Sequence, residues 1–341
     1  MGFHTLDPLA DARWKQFLAR HARASIFHSS GWLEALKRTY DYEPVVLTSA
    51  APGNPLENGI AFCRVASWAT GRRAVSLPFA DHCEPLVDPD EINECAEWLK
   101  AESGQEAWRY IELRPRFSHA LNGWTESSSY CFHILDLGGS LEKIFSGLHK
   151  DSLQRRIRKA QREHVSYETG RSDRQIEDFY RLQLKTRVRH RLVPQPKSWF
   201  RNLVSCLGDS LSIQIARKDG TPIAALLTLR QRAAVVYKYG CSDEKYHPLG
   251  AMPFLFWNLI ERSKAEGAAE IDFGRSDWDQ EGLIRFKDHF GARRETLRYF
   301  RYSRQRELVK PVPARAFGLA FDALPKSLLP VAGRLLYRHI G

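Results

Sequence analysis

GLIRFKDHFGAR, residues Gly282 to Arg293, is the stretch on which the reading of this chain turns. Lys287 follows Phe286 directly and stands one helical turn before Phe290, with Gly282 and Gly291 bracketing the run. An ammonium set among phenylalanines has two readings. It is a surface lysine whose methylene stem lies along an apolar face, or a cation kept partly desolvated, where it acts more strongly on an oxyanion or a phosphate. The glycines let the backbone turn at either end.

Upstream, AMPFLFWNLIERSKAEG (Ala251–Gly267) predicts a helix with Pro253 in its first turn. It feeds a strand, AEIDFG (Ala269–Gly274). Before it, LSIQIAR, the turn KDG, PIAALLTLR and AAVVYKYG read as three successive strands. The first half follows the same plan. Ser30 is placed to cap a helix, GWLEALKRTY. The strands PVVLTSA and GIAFCRVAS flank a turn at Pro52–Asn58, and the helix EINECAEWLKAESG leads into the strand RYIELR. Helix-then-YIELR and helix-then-EIDFG read as an internal duplication, against the alternative of a chance likeness between two α/β units. Gly138 and Gly139 mark the expected junction. The expected class is α/β (α+β), with domains at 1–138 and 139–310 and a basic amphipathic tail at 311–341.

Composition excludes some classes. At 341 residues, 43% apolar and 27% charged, the chain is ordinary for a folded protein of two domains. Its net charge of +11 favours anionic partners. Cys63, Cys83, Cys95, Cys131, Cys206 and Cys241 form no CxxC and no zinc spacing, so they read as reduced core residues of a cytosolic protein. The N-terminus has no apolar signal region, Leu6 argues against myristoylation of Gly2, and no uncharged run reaches membrane-spanning length.

Between the halves, LHKDSLQRRIRKAQREH (Leu148–His164) crowds Lys150, Arg155, Arg156, Arg158, Lys159 and Arg162 onto one helix with almost no balancing acid. A solvated face is the ordinary explanation; an anion-binding or interface role is the other. The segment from Leu328 to Ile340 is weakly amphipathic and basic. It fits either a membrane surface or a helix docked on the body. Asp81, His82, Cys83 and Glu84 are all potential metal ligands. Consecutive residues on an extended segment point to opposite faces, however, and no metal is expected. In KYHPLGAMPF (Lys245–Phe254) a glycine precedes a helix, and a helix start attracts phosphate.

The ordered set YKYG, DFG and GLIRFKDHFG resembles the C-terminal half of FemAB-type transferases. RRIRKAQREHV resembles that family's entry to its second domain, FHSSGWLEALKRTY its opening, and LPFADHCEPL its PF.D..gPL loop. The likeness covers most of Ile26 to Tyr302, and FK..FG is its most specific element. Gly250 and Ala251 sit in a degraded version of the [Q/R]xxGx[G/A] loop of GNAT-type acyl-CoA N-acyltransferases, with His247 at the Gln/Arg position. The family's coiled-coil arm has no counterpart, and His82, Cys83 and Glu84 depart from its loop.

The resemblance implies two tandem GNAT-like domains, each a mixed, mostly antiparallel sheet flanked by helices. It implies transfer of an aminoacyl or acyl group to an amine of a peptidoglycan or exopolysaccharide precursor. Lys287 matches the functional lysine, and Phe286 would pack and orient it. Asp81 would pair with the incoming ammonium; a turn aspartate is the alternative. Tyr239 would point into the site, with Tyr237 on the same strand face. Arg189, Arg275 and Lys37 are candidates for binding substrate, and Gly250 and Ala251 for binding donor. Acyl-CoA or aminoacyl-tRNA would be the donor substrate, with no tightly bound cofactor. Partners would be the anionic precursor, charged tRNA and the inner membrane surface, but no DNA. Two rivals stand beside this reading: an acyl-CoA N-acetyltransferase of a small amine or sugar, and a non-catalytic RNA- or membrane-binding module.

Overall fold

A computed structural model describes residues 2–68, 70–116, 121–303 and 329–339. In chain order the elements are β1 (His4–Leu6), α1 (Ala12–Arg20), α2 (Ser30–Tyr40), β2 (Glu43–Thr48), β3 (Ile60–Ser67), β4 (Gly71–Ser76), α3 (Ile92–Gln105), β5 (Tyr110–Leu113) and β6 (Thr125–Asp136). Then come α4 (Leu141–Gly147), a π-helical turn at Lys150–Gln154, α5 (Arg155–Arg162), β7 (Ser166–Gly170), α6 (Asp173–Arg189), α7 (Lys197–Leu207), β8 (Leu211–Lys218), β9 (Thr221–Gln231) and β10 (Ala234–Ser242). The series ends with α8 (Ala251–Ala265), β11 (Glu270–Ser276), α9 (Glu281–Asp288), β12 (Arg293–Tyr302) and α10 (Leu329–Leu336).

The chain forms two compact units. The first holds the described residues up to Ser129, together with those of 296–303 and 331–339; the second holds Tyr130–Glu295 and 329–330. The division falls within β6, ahead of Gly138 and Gly139.

In the first unit the strands lie in the order β1-β2-β3-β4-β5-β12. Only β4 and β5 run parallel, with α3 as their crossover. Ser29, not Ser30, caps α2; its hydroxyl accepts the Trp32 amide. Val45, Leu47, Ile60, Phe62, Leu99, Trp108 and Ile111 bury one core. On β5, Glu112 is buried. Burial pushes its carboxyl up, but the guanidinium groups of Arg114 and Arg301, bonded at 2.8 and 2.6 Å, hold it below the usual value. The described end of the tail, 329–339, is helical; 311–328 lies outside the described residues.

In the second unit the order is β6-β11-β10-β9-β8-β7, again with one parallel pair, β10 and β11, crossed by α8. The plan β2-β3-β4-α3-β5 is thus repeated as β8-β9-β10-α8-β11. Leu153, Ile157 and Ala160 recur at helical spacing and face inward, so α5 packs on α8 and turns Arg155, Arg156, Arg158 and Arg162 to solvent. Burying Ile157 contributes roughly 2–3 kcal/mol. All six cysteines are free thiols, and five are buried.

His28 is an acid-sensitive group of the first unit. Its Nδ1 accepts from the Ser25 amide, and Nε2–H donates to the Glu84 carbonyl at 2.8 Å. Desolvation lowers its pKa to about 4, against an unfolded value near 6.5. The unfolded chain therefore binds the extra proton first. Stability from this group is full above pH ~6.5 and falls by about 3 kcal/mol as pH drops towards 4. Urea unfolding across this range should show that loss in the wild type and a flattened limb in His28→Gln. An unchanged slope in the variant would assign the loss elsewhere.

Candidate active site

The parallel strands β10 and β11 pair at Ala234–Glu270, Val235–Ile271 and Val236–Asp272. Immediately beyond, both bulge: β10 shifts register against β9 between Tyr237 and Tyr239, and β11 shifts against β6 between Asp272 and Arg275. Bulges bend strands and re-aim side chains. The carboxyl ends of two parallel strands are where open α/β sheets place ligands.

The β11 bulge is built by DFG. Asp272 is buried, and its Oδ1 accepts the Gly274 amide at 2.6 Å. Gly274 has φ +70°, a conformation that glycine takes without cost. The resulting loop aims two carbonyls at one point. Lys287 Nζ, from α9, donates to Gly274 O at 2.9 Å and to Arg275 O at 3.1 Å. Lys287 is only 3% exposed. DFG and FK are therefore two halves of one device: the first makes the carbonyl seat, and the second fills it.

The rings do a different job from the one expected. Phe286 packs on Phe256 and Phe290, which pack in turn on each other and on Phe273. They fix α9 against α8, while carbonyls hold the ammonium. Gly291, at φ +75°, does turn the chain. Gly282 lies inside the first turn of α9. Tyr237, Phe256, Phe273, Leu283, Phe286 and Phe290 line a small apolar hollow beside Lys287.

Tyr237 and Tyr239 do not share surroundings, as strict alternation would have it. The bulge between them sends Tyr237 onto Phe256 of α8 and Tyr239 onto Phe200 of α7. There the Tyr239 hydroxyl accepts from Trp199 Nε1 at 2.9 Å. The glycine of YKYG has its own reason. A Cβ on Gly240 would meet the Tyr237 hydroxyl at 2.1 Å.

Sequence reasoning passed over the anchoring of α9. Asp288, next to Lys287, accepts from His133 Nε2 on β6 at 3.1 Å and from Arg294 Nε at 2.6 Å. Arg294 first, then His133, holds the Asp288 carboxyl below its ordinary value, while burial lowers the His133 pKa and keeps the imidazole neutral. One residue on, His289 stacks on His149, and Ser152 Oγ lies 2.8 Å from His289 Nδ1 and 2.9 Å from His149 Nδ1. The signal available was the run KDHF itself, whose polar residues all have partners across the fold.

A second pocket of about 240 Å³ opens at the start of α8, lined by Arg156, Ser242, Asp243, Tyr246, His247 and Ala251 among others. Arg189, at the end of α6, donates to the Ser242 carbonyl at 3.0 Å, so it comes to the same place as Gly250 and Ala251. Burial first, then the charge of Arg189, lowers the His247 pKa. Gly250 caps α8 at φ +76°, and the Arg156 carbonyl oxygen sits 2.5 Å from where its Cβ would be. Pro253 removes one amide from the first turn.

Arg275 lays its guanidinium over the Tyr130 ring, 4.0 Å from the centroid. Two candidates belong to the first unit. The carbonyl of Asp81 accepts the Tyr299 hydroxyl at 2.5 Å, and Lys37 is exposed on the last turn of α2. Beside Asp81, Cys83 Sγ lies 3.3 Å from His28 Nε2, but burial pushes the thiol up to about 12 and leaves it no nucleophile. Lys287, Phe286 and Arg275 thus form one group in the second unit; Arg189, Gly250 and Ala251 form another.

Residues 149–288, from the start of the basic helix to the end of α9, match the family described as an acetyltransferase (GNAT) domain. None of the curated proteins matches the sequence. Among solved structures, FemX is similar at TM-score 0.68 and 12% identity, over 89% of this chain and 97% of that one. A tandem GNAT protein from the clavulanic acid biosynthesis pathway is similar at 0.57 and 12%, over 89% and 98%. L-PGS from Bacillus licheniformis is similar at 0.55 and 15%, over 98% and 97%. At these identities the likeness is one of fold. The domain match sets aside the non-catalytic alternative. Residues 149–288 match a GNAT acetyltransferase domain, which supports an acyltransferase, and the chain shares its fold with FemX and with a tandem GNAT protein.

Proposed function

We propose that the protein transfers an aminoacyl or acyl group to an amine of a cell-envelope precursor, of peptidoglycan or exopolysaccharide type. The observation that carries this is the buried Lys287 ammonium seated on the DFG carbonyls where β10 and β11 bulge. In aminolysis the uncharged acceptor nitrogen attacks the donor carbonyl, the C–O or C–S bond to the carrier breaks, and the nitrogen's proton leaves with the carrier. Negative charge builds on the carbonyl oxygen in between. A fixed cation in a desolvated place lowers that barrier most. Lys287 fills this role, and Phe286 holds its helix. Arg189 and Arg275 would bind the precursor's anionic groups. Tyr239 would help to shape the acceptor side.

A second reading, an acyl-CoA-dependent N-acetyltransferase of a small amine or sugar, is favoured by the pocket at the start of α8, which Ala251 helps to line. Against it, Pro253 removes an amide and the Arg156 carbonyl covers one face of Gly250, which weakens the grip on a pyrophosphate. Aminoacyl-tRNA is therefore the donor we favour, and charged tRNA and the precursor are the partners. Among the described residues no helix is long and apolar enough to cross a membrane; we place the enzyme at the inner membrane face.

The test supplies aminoacyl-tRNA and acyl-CoA separately, each with a peptidoglycan stem-peptide precursor, and follows donor consumption and amide formation. Precursor-dependent consumption of aminoacyl-tRNA is expected. Consumption of acyl-CoA alone, with a small amine serving equally as acceptor, would favour the second reading.

A further inference from the structure

One face of α10 is fixed to the first unit, and the opposite face is dressed for a different solvent. Gly333 and Tyr337, one helical turn apart, are buried. The Tyr42 hydroxyl donates to the Tyr337 carbonyl at 3.0 Å. The Thr70 hydroxyl and the buried Arg73 guanidinium donate to the His339 carbonyl at 3.1 and 3.0 Å, and Ser67 Oγ lies 2.9 Å from His339 Nδ1. The described end of the tail is thus docked on the body.

The outward face carries Val331, Arg334, Leu335 and Arg338, spaced i, i+3, i+4 and i+7. Val331 is 56% exposed and Leu335 63%. At the C-terminal end of this face stands Trp68, 90% exposed, its ring edge-on to His339 at a centroid distance of 5.2 Å. Three of the five large apolar side chains exposed among the described residues therefore gather here. No carboxylate occurs from Leu329 to His339.

We propose that this face, Trp68 with Val331, Arg334, Leu335 and Arg338, docks the enzyme onto an anionic phospholipid bilayer. Aliphatic side chains enter the acyl boundary, tryptophan settles at headgroup level, and flanking arginines meet lipid phosphates. The net charge of +11 adds long-range attraction to such a surface. A protein partner fits less well. Three apolar side chains fall far short of the roughly 20–30 residues a side of a stable protein interface, and from Leu329 to His339 there is no acid to pair with the arginines. This surface does not depend on the acyl-transfer reading.

The test is cosedimentation of the full chain with vesicles of phosphatidylcholine containing about 30% phosphatidylglycerol, against vesicles of phosphatidylcholine alone. The anionic vesicles should capture the protein and the neutral ones should not. Arg334→Gln with Arg338→Gln should weaken partitioning about thirtyfold, at about 1 kcal/mol per arginine. Trp68→Ser with Leu335→Ser should weaken it at least about tenfold. These side chains point away from the core, so unchanged thermal midpoints keep a loss of binding readable. Failure to bind anionic vesicles, or equal binding by the variants, would overturn the proposal. So would a dimer in solution that the same variants dissociate, because the face would then belong to a second copy of the chain.

Discussion

Lys287→Met is expected to lower kcat for acyl transfer by about 10²–10³-fold while leaving KM within a few-fold. Methionine keeps the length and bulk of the stem and removes the charge. The Gly274 and Arg275 carbonyls would lose their donor, at a cost of about 1.5–3 kcal/mol for each charged hydrogen bond. The cost is softened because a water molecule is small enough to reach the carbonyls in place of the head group. A folded but slow enzyme is the expected result, checked by circular dichroism and single-turnover transfer. Lys287→Arg should rescue little, since a planar fork does not sit on two convergent carbonyls as a compact ammonium does. Full activity in Lys287→Met would remove the lysine from the mechanism.

Gly250→Ala is expected to destabilise the second unit by about 4 kcal/mol, seen as a lower urea midpoint. Two costs add. The residue sits at φ +76°, where a side chain costs about 1–3 kcal/mol. The new methyl would also lie 2.5 Å from the Arg156 carbonyl oxygen, which is backbone and moves only if α5 moves. Forcing α5 off α8 would disturb Leu153, Ile157 and Ala160 together. Loss of donor binding in a Gly250 variant therefore says little about phosphate recognition. Arg156→Gln, on the solvent side of the same pocket, is the cleaner probe.

Much of the fold is legible in the sequence because its signals are local. The helix-then-YIELR and helix-then-EIDFG runs each code one βαβ crossover, and the turn KDG fixes the β8–β9 hairpin. Residues at fixed offsets, such as Lys287 after Phe286, are equally local. The bulges are not legible, because register is a relation between strands far apart in sequence. Strict alternation therefore puts Tyr237 and Tyr239 on one face, whereas the β10 bulge separates them. For the same reason the sequence points to rings around Lys287, whereas the fold supplies carbonyls brought from β11. The His133–Asp288 contact joins residues 155 apart in the chain, and no motif links the two. Arg156 reads as one more charge on a basic helix until α5 packs on α8 and sets its carbonyl on Gly250.

The most direct test of the role given to Lys287 is a crystal structure of the wild-type chain with a non-reactive donor analogue bound. The carbonyl oxygen that accepts charge should lie within about 3 Å of Lys287 Nζ, at the carboxyl ends of β10 and β11. A donor seated with its reacting carbonyl far from Lys287, while the lysine stays on the Gly274 and Arg275 carbonyls, would contradict that role.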